Sequence, residues 1–208
     1  MINQTELDTA VNIIARGGIV VIPTDTIYGF SCDPNSVKAI SRLNSLKGRE
    51  QKPYIILDSK FQRLKKYIKF NRFVILFTDF LIENKLWPGN ITVVTDKNPD
   101  IEYEFLKDRE KIAVRLTDWY AVKYITDKFG SGIVSTSVNT SGDEILNDAE
   151  IISKEWGNKV DLIIKGESSG KKASAIVELF PDQEMIRILR SFDAPSLIKI
   201  RNKFRISE

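Results

Sequence analysis

Histidine is absent from all 208 residues. That absence removes the Ser-His-Asp triad, the Cys-His pair and every imidazole-ligated zinc site. Cysteine occurs once, at Cys32, so neither an intrachain disulfide nor a multi-cysteine metal centre is available. No apolar run approaches the roughly 18 residues that a membrane span needs. The opening MINQTELD lacks the basic-then-apolar order of a secretory signal, and the expectation is a cytoplasmic protein. Neither sign of charge dominates: 31 Lys and Arg stand against 28 Asp and Glu, a net charge of +3 that does not demand a nucleic-acid partner. The phosphate-binding patterns G-x-G-x-x-G and G-x-x-x-x-G-K-[ST] are both missing, which excludes a Rossmann dinucleotide site and a Walker loop. Chemistry on this chain must rest on Lys, Arg, carboxylates, hydroxyls, backbone groups or a metal held through oxygen.

A chain with 42% hydrophobic and 28% charged residues is ordinary globular protein; its length allows one α/β domain or at most two small ones, and a single domain over 1–208 is expected. Apolar runs alternate with amphipathic stretches, the signal of an α/β fold. Thr5 is placed to cap a helix whose face is Leu7, Ala10, Val11 and Ile14, and Gly17-Gly18 ends it. A buried strand follows at 19–22. A second helix is expected from Ser36 with Val37, Ile40 and Leu43 on one face, then a strand at 54–57. A helix over 71–85 leads through the turn Trp87-Pro88-Gly89 to a strand at 91–95. Further strands are expected at 112–116, 133–136, 162–165, 173–179 and 185–189, with helices after Asp118 and Asp148. A basic helix or tail is expected at about 194–208 (Lys199, Arg201, Lys203, Arg205). Because strands crowd the C-terminal part, the sheet is expected to be open and mixed, with helices on its faces, rather than purely parallel. The three tryptophans read as packing residues.

Four polar segments sit at strand or helix ends, where ligands collect in open α/β sheets. Pro23-Thr24-Asp25-Thr26-Ile27-Tyr28-Gly29 brings two hydroxyls and a carboxylate out of a buried strand, and also reads as a capped turn. Leu46-Lys47-Gly48-Arg49-Glu50-Gln51-Lys52-Pro53 holds three cations able to grip a polyphosphate, or to complement a helix C-terminus. In Ile112-Ala113-Val114-Arg115-Leu116-Thr117-Asp118 the arginine interrupts an apolar strand. It must pair or face a cavity, clamping a carboxylate or forming a structural ion pair. Ser135-Thr136-Ser137-Val138-Asn139-Thr140-Ser141-Gly142 offers many hydrogen-bonding groups in little volume, fit for a nucleotide or an amino acid.

Taken in order, P-T-D-T-x-Y-G, K-x-R, W-P-G, A-V-R and S-x-N resemble the YrdC family of threonylcarbamoyl-AMP synthases, from Gly18 to about Arg190. The resemblance implies a twisted α/β sheet with a large, basic, concave cavity. It implies an enzyme that joins L-threonine, bicarbonate and ATP into threonylcarbamoyl-AMP and pyrophosphate, for a separate transferase complex that modifies tRNA. By position it makes Lys47, Arg49, Ser137 and Asn139 the signature, catalytic set. Thr26, Arg115, Ser137 and Ser174 become threonine contacts. Lys47, Arg49, Lys52, Lys111, Asn139, Asn147 and Arg190 become ATP contacts. No protein nucleophile is implied, in keeping with the missing histidine, and Mg2+ is expected on the phosphates without dedicated protein ligands.

This sequence departs from the family pattern where Glu50 replaces a proline, Pro53 comes about one residue early and Tyr54 stands for leucine. Leu57-Asp58 stands where many members carry a threonine-contacting histidine. The short chain resembles the family's single-domain form. Two other readings stay open. One is a paralogue acting on a different carbamoyl or acyl substrate. The other is a non-catalytic module for double-stranded RNA or tRNA, using the cations of 60–69 and the C-terminus.

Overall fold

The computed structural model describes residues 2–48, 53–170, 172–191 and 194–207. In chain order the helices are α1 (Gln4–Ala15), α2 (Val37–Lys47), α3 (Phe61–Leu64), α4 (Arg72–Glu83), α5 (Tyr120–Phe129), α6 (Ala149–Trp156) and α7 (Ala194–Lys203). The strands are β1 (Val20–Ile22), β2 (Gly29–Cys32), β3 (Ile55–Asp58), β4 (Ile91–Asp96), β5 (Lys111–Leu116), β6 (Ile133–Ser137), β7 (Leu162–Ile163), β8 (Ala175–Phe180), β9 (Met185–Arg190) and β10 (Arg205–Ile206). They form one sheet in the order β10-β9-β8-β4-β5-β3-β6-β2-β1-β7. Pairings are mixed, as expected: β3 with β5 and β4 with β8 are parallel, while β1 with β2, β3 with β6 and β4 with β5 are antiparallel.

Period-two alternation sends the strands' side chains into two cores. On β1, Val21 joins Ile40, Leu43 and Phe77 under α2 and α4, whereas Val20 and Ile22 join Leu7, Ile14, Val122 and Ile125 under α1 and α5. All three tryptophans pack with these cores, Trp87 and Trp156 with the first and Trp119 with the second.

Several sequence expectations need correction. The cap of α1 is Asn3, whose side chain accepts from Thr5 N while Glu6 accepts from Asn3 N, a reciprocal box that shifts the helix start two residues earlier. Ser36 does cap α2, but Val37, in the first helical position, is 60% exposed and turns away from the buried face. The strand foreseen at 162–165 shrinks to two residues. Strand β2 and the one-turn α3 were not foreseen. The C-terminal segment is a helix followed by a strand: β10 pairs in parallel with β9, and Phe204 between them packs edge-on against Phe73, Phe77 and Phe80 of α4. Among the described residues no helix is long and apolar enough to cross a membrane.

Candidate active site

On β5 the buried side chains Ile112, Val114 and Leu116 belong to the first core. The alternate residues Lys111, Ala113 and Arg115 face the opposite side of the sheet. There α1 and α5 cover only the region of β1, β3, β6 and β7, and the uncovered middle is a cavity of about 820 Å3. This explains a cation inside an apolar strand: the position is a cavity wall. Its lining brings together Thr26, Lys111, Arg115, Ser137, Ser174 and Arg190 from the sequence-predicted set. The lining charge is mixed, since Arg109 and those three cations share it with Asp108, Glu110 and Glu178.

Arg115 is 3% exposed. Its Nη1 donates to Asp25 Oδ1 at 2.8 Å, while Arg115 Nε and Asp25 Oδ2 are buried without a partner among the described residues. Burial lowers the Arg115 pKa and the Asp25 carboxylate opposes that shift, but a guanidinium stays charged at neutral pH. The pair is therefore made through one bond instead of the usual fork. Arg190 is pushed down by burial and then by the charge of Arg115. Its Nε donates to the Ser174 carbonyl at 2.5 Å, and Ser174 Oγ also meets Thr92 Oγ1 at 2.8 Å. Two mutually repelling guanidiniums held at one wall favour an anion between or beside them.

The turn after β1 is shaped by Thr24, whose Oγ1 donates to Ile27 O at 2.7 Å and meets Thr26 Oγ1 at 2.9 Å. A strap, residues 166–170, lies on this turn. Tyr28 OH donates to Gly166 O, Ser169 Oγ donates to Asp25 O at 2.7 Å, and a Cβ at Gly170 would stand 2.4 Å from Thr26 O. Asn147 fastens strap to turn: its Oδ1 accepts from Tyr28 N and Ser168 Oγ, and its Nδ2 donates to Gly170 O. The structure thus places Asn147 behind the wall, outside the lining.

Lys47 ends α2, where Gly48 turns left-handed at φ 57° and stops the helix. The side chain is 1% exposed. Its ammonium donates to Ser137 O at 2.8 Å and Asn139 Oδ1 at 2.5 Å, and Ser137 Oγ donates to the same Asn139 oxygen at 2.7 Å. Lys47 and Asn139 are thus joined to the cavity through Ser137, which lines it. Lys111 is held at the wall by Glu178 Oε1 at 2.9 Å and Leu179 O at 3.0 Å, with Phe180 under its ammonium. Arg49 and Lys52 lie outside the described residues.

Asp58, at the place of the family's histidine, is fully buried and bound by Arg63 through Nε and Nη2. Leu57 lines the cavity instead. Sequence reasoning missed Asp25 as the partner of Arg115 and Tyr54 and Glu178 as lining. A carboxylate flanked by the two threonines of P-T-D-T was the available signal for the first.

A family model described as "Telomere recombination" (Sua5/YciO/YrdC) matches residues 12–191. Threonylcarbamoyl-AMP synthase from Psychromonas ingrahamii is 29% identical over 173 residues, covering 82% of this chain and 90% of that protein. The protein of the same name from Yersinia enterocolitica is 28% identical over 164 residues, covering 77% and 84%. Among solved structures, P. abyssi Sua5 complexed with L-threonine superposes with a TM-score of 0.85 at 22% identity, a likeness of fold. The superposition covers all of this chain, which spans 60% of the Sua5 chain.

Proposed function

The chain belongs to the Sua5/YciO/YrdC family, and from that premise we propose that it is a threonylcarbamoyl-AMP synthase, forming the adenylate and pyrophosphate from L-threonine, bicarbonate and ATP. One observation carries the reading: Arg115 and Ser137 line one hollow, and the Ser137 carbonyl holds the ammonium of Lys47, which also binds Asn139. Arg115 is assigned to the threonine carboxylate, with Thr26, Ser137 and Ser174 around the amino acid. Lys47, Asn139, Arg190 and Arg49 are assigned to the nucleotide, with Lys52 and Lys111 more peripheral, while Asn147 acts from behind the wall by fastening strap to turn.

The threonine amine adds to the carbon of bicarbonate, water leaves, and a carbamate oxygen attacks the α-phosphorus as pyrophosphate departs. No side chain changes covalent state. The protein's part is to align the two substrates and to neutralise charge passing to the leaving group. Mg2+ would add to that neutralisation. The oxygens beside Lys47 already accept from its ammonium, so the ion is assigned to the phosphates alone. The product passes to a transferase complex that modifies tRNA.

The test is pyrophosphate release from ATP and bicarbonate, with and without L-threonine, followed by mass detection of the adenylate. Release that requires threonine is expected. Release without it points to a paralogue with another substrate. RNA binding that survives Lys47→Ala, with no ATP turnover, points to a binding module. Either outcome overturns the assignment.

A further inference from the structure

We propose that Tyr54 is a positioning residue for Lys47, holding the last turn of α2 so that the lysine ammonium stays at the nucleotide side of the cavity. The inference rests on the assignment of Lys47 to the nucleotide phosphates.

Tyr54 immediately precedes β3, is 1% exposed and forms part of the cavity wall. Its ring packs on Phe105 at 5.7 Å, and Phe105 stacks on Tyr103 at 5.6 Å. Apolar packing fixes the ring, so the hydroxyl has a defined direction. It donates to Asn44 Oδ1 at 2.6 Å. Asn44 lies three residues before Lys47 on α2, the spacing that makes two side chains neighbours on one helix face. The Asn44 carbonyl also accepts from Gly48 N, closing the turn that carries Lys47.

The other flank of this turn is tied to the loop after β6. Lys47 O accepts from Ser141 N at 2.9 Å, and the Lys47 ammonium reaches Ser137 and Asn139. The turn is therefore held from two sides, and Tyr54 supplies the side nearer the cavity wall. A helix end fails first when such ties are cut, because its last carbonyls have no partner within the helix. An ammonium is a point charge whose pull on a phosphate falls with distance, so a small drift of the turn weakens nucleotide binding. Arg115 sits on β5, a separate element, and its grip on a carboxylate does not depend on this tie.

The experiment is Tyr54→Phe, which keeps the ring and removes the hydroxyl, with Asn44→Leu as a second route to the same loss. Affinity for a non-hydrolysable ATP analogue and affinity for L-threonine are measured by calorimetry, beside KM and kcat for pyrophosphate release. Both variants are expected to lose about fivefold in nucleotide affinity, the scale of one neutral hydrogen bond, with threonine affinity unchanged. On a Lys47→Ala background the Tyr54→Phe effect is expected to vanish. Wild-type nucleotide affinity in Tyr54→Phe, an equal loss for threonine, or an undiminished effect without Lys47 overturns the proposal. A wild-type chain that binds the analogue but makes no adenylate sinks the synthase assignment and leaves the Tyr54 measurements to decide this one. A wild-type chain that binds no nucleotide sinks both.

Discussion

Arg115 and Asp25, 90 residues apart in the chain, meet through a single bond of 2.8 Å in a site where Arg115 is almost wholly buried. A charge in such a place is tolerable only because its partner is there; removing one member of a buried pair strands the other. Asp25→Ala is therefore expected to lower stability by about 3 kcal/mol, a fall in Tm of about 10 °C for a domain of this size. Asp25→Leu combined with Arg115→Met replaces both charges and is expected to regain most of that stability while remaining inactive with threonine. Thermal unfolding of the three proteins checks this, and a single Asp25→Ala variant as stable as the parent would sink it.

Lys47 is the second buried cation. Because its ammonium satisfies Ser137 O and Asn139 Oδ1, its loss touches the fold as well as the chemistry. Lys47→Met is expected to cut threonine-dependent pyrophosphate release by about 100-fold or more, the scale for a group stabilising charge in the transition state. It is also expected to lower stability by about 1–3 kcal/mol, because Ser137 O and Asn139 Oδ1 lose a buried charged donor. Rates measured well below both unfolding transitions separate the two effects. Near-parental turnover in that variant removes Lys47 from the site.

The cluster of Asp127 with Lys60 at 3.0 Å and Arg63 at 2.9 Å gives stability a pH dependence. Burial alone would raise the Asp127 pKa, but hydrogen bonds from Lys60 and Arg63 outweigh it and the net shift is downward. A carboxylate depressed by folding contributes stability above its unfolded value, near 4, and loses that contribution as pH falls through the lower folded value. Asp127→Asn is expected to be less stable than the parent at neutral pH and to approach it below about pH 3. Denaturant midpoints across that range test the convergence, and parallel curves at all pH values would contradict it.

The elements legible in the sequence were those with a strong local signature. The apolar run before Pro23 is β1, Ser36 caps α2 and Asp148 caps α6. Strand β2 was hidden because it begins at Gly29, which reads as the close of a turn, and its pairing with β6 is long-range. Strand β10 is two residues long and exists through its pairing with β9 and the anchoring of Phe204. At the site, motif order pointed to Arg115, Ser137 and Ser174, which line one cavity. It could not show that Arg115 already holds Asp25, because that contact depends on how the turn after β1 lies against β5. The role of Tyr54 was equally hidden. As a sequence letter it is an aromatic before a strand, and its hydroxyl acquires meaning only when α2 is seen beside it.

Gly170 connects the strap to the site most directly. A Cβ there would stand 2.4 Å from Thr26 O and 2.8 Å from Thr26 Cα. Both are backbone atoms, so the added methyl cannot be accommodated by a rotamer change and must push strap and turn apart. The displacement would fall on Thr26 and on the Ser169–Asp25 hydrogen bond, and through Asp25 on Arg115. Lys47 and Asn139 lie on α2 and the loop after β6, and the hydrogen bonds described above tie them to Ser137 and to each other rather than to strap or turn. Gly170→Ala is therefore expected to raise KM for L-threonine by about tenfold, one pairing of about 1.4 kcal/mol, while affinity for an ATP analogue stays within twofold of the parent, about 0.4 kcal/mol. Steady-state kinetics with each substrate varied in turn decides the matter. An unchanged KM for threonine would show that the strap does not shape that side of the cavity, and a rise confined to ATP would place the strap on the nucleotide side instead.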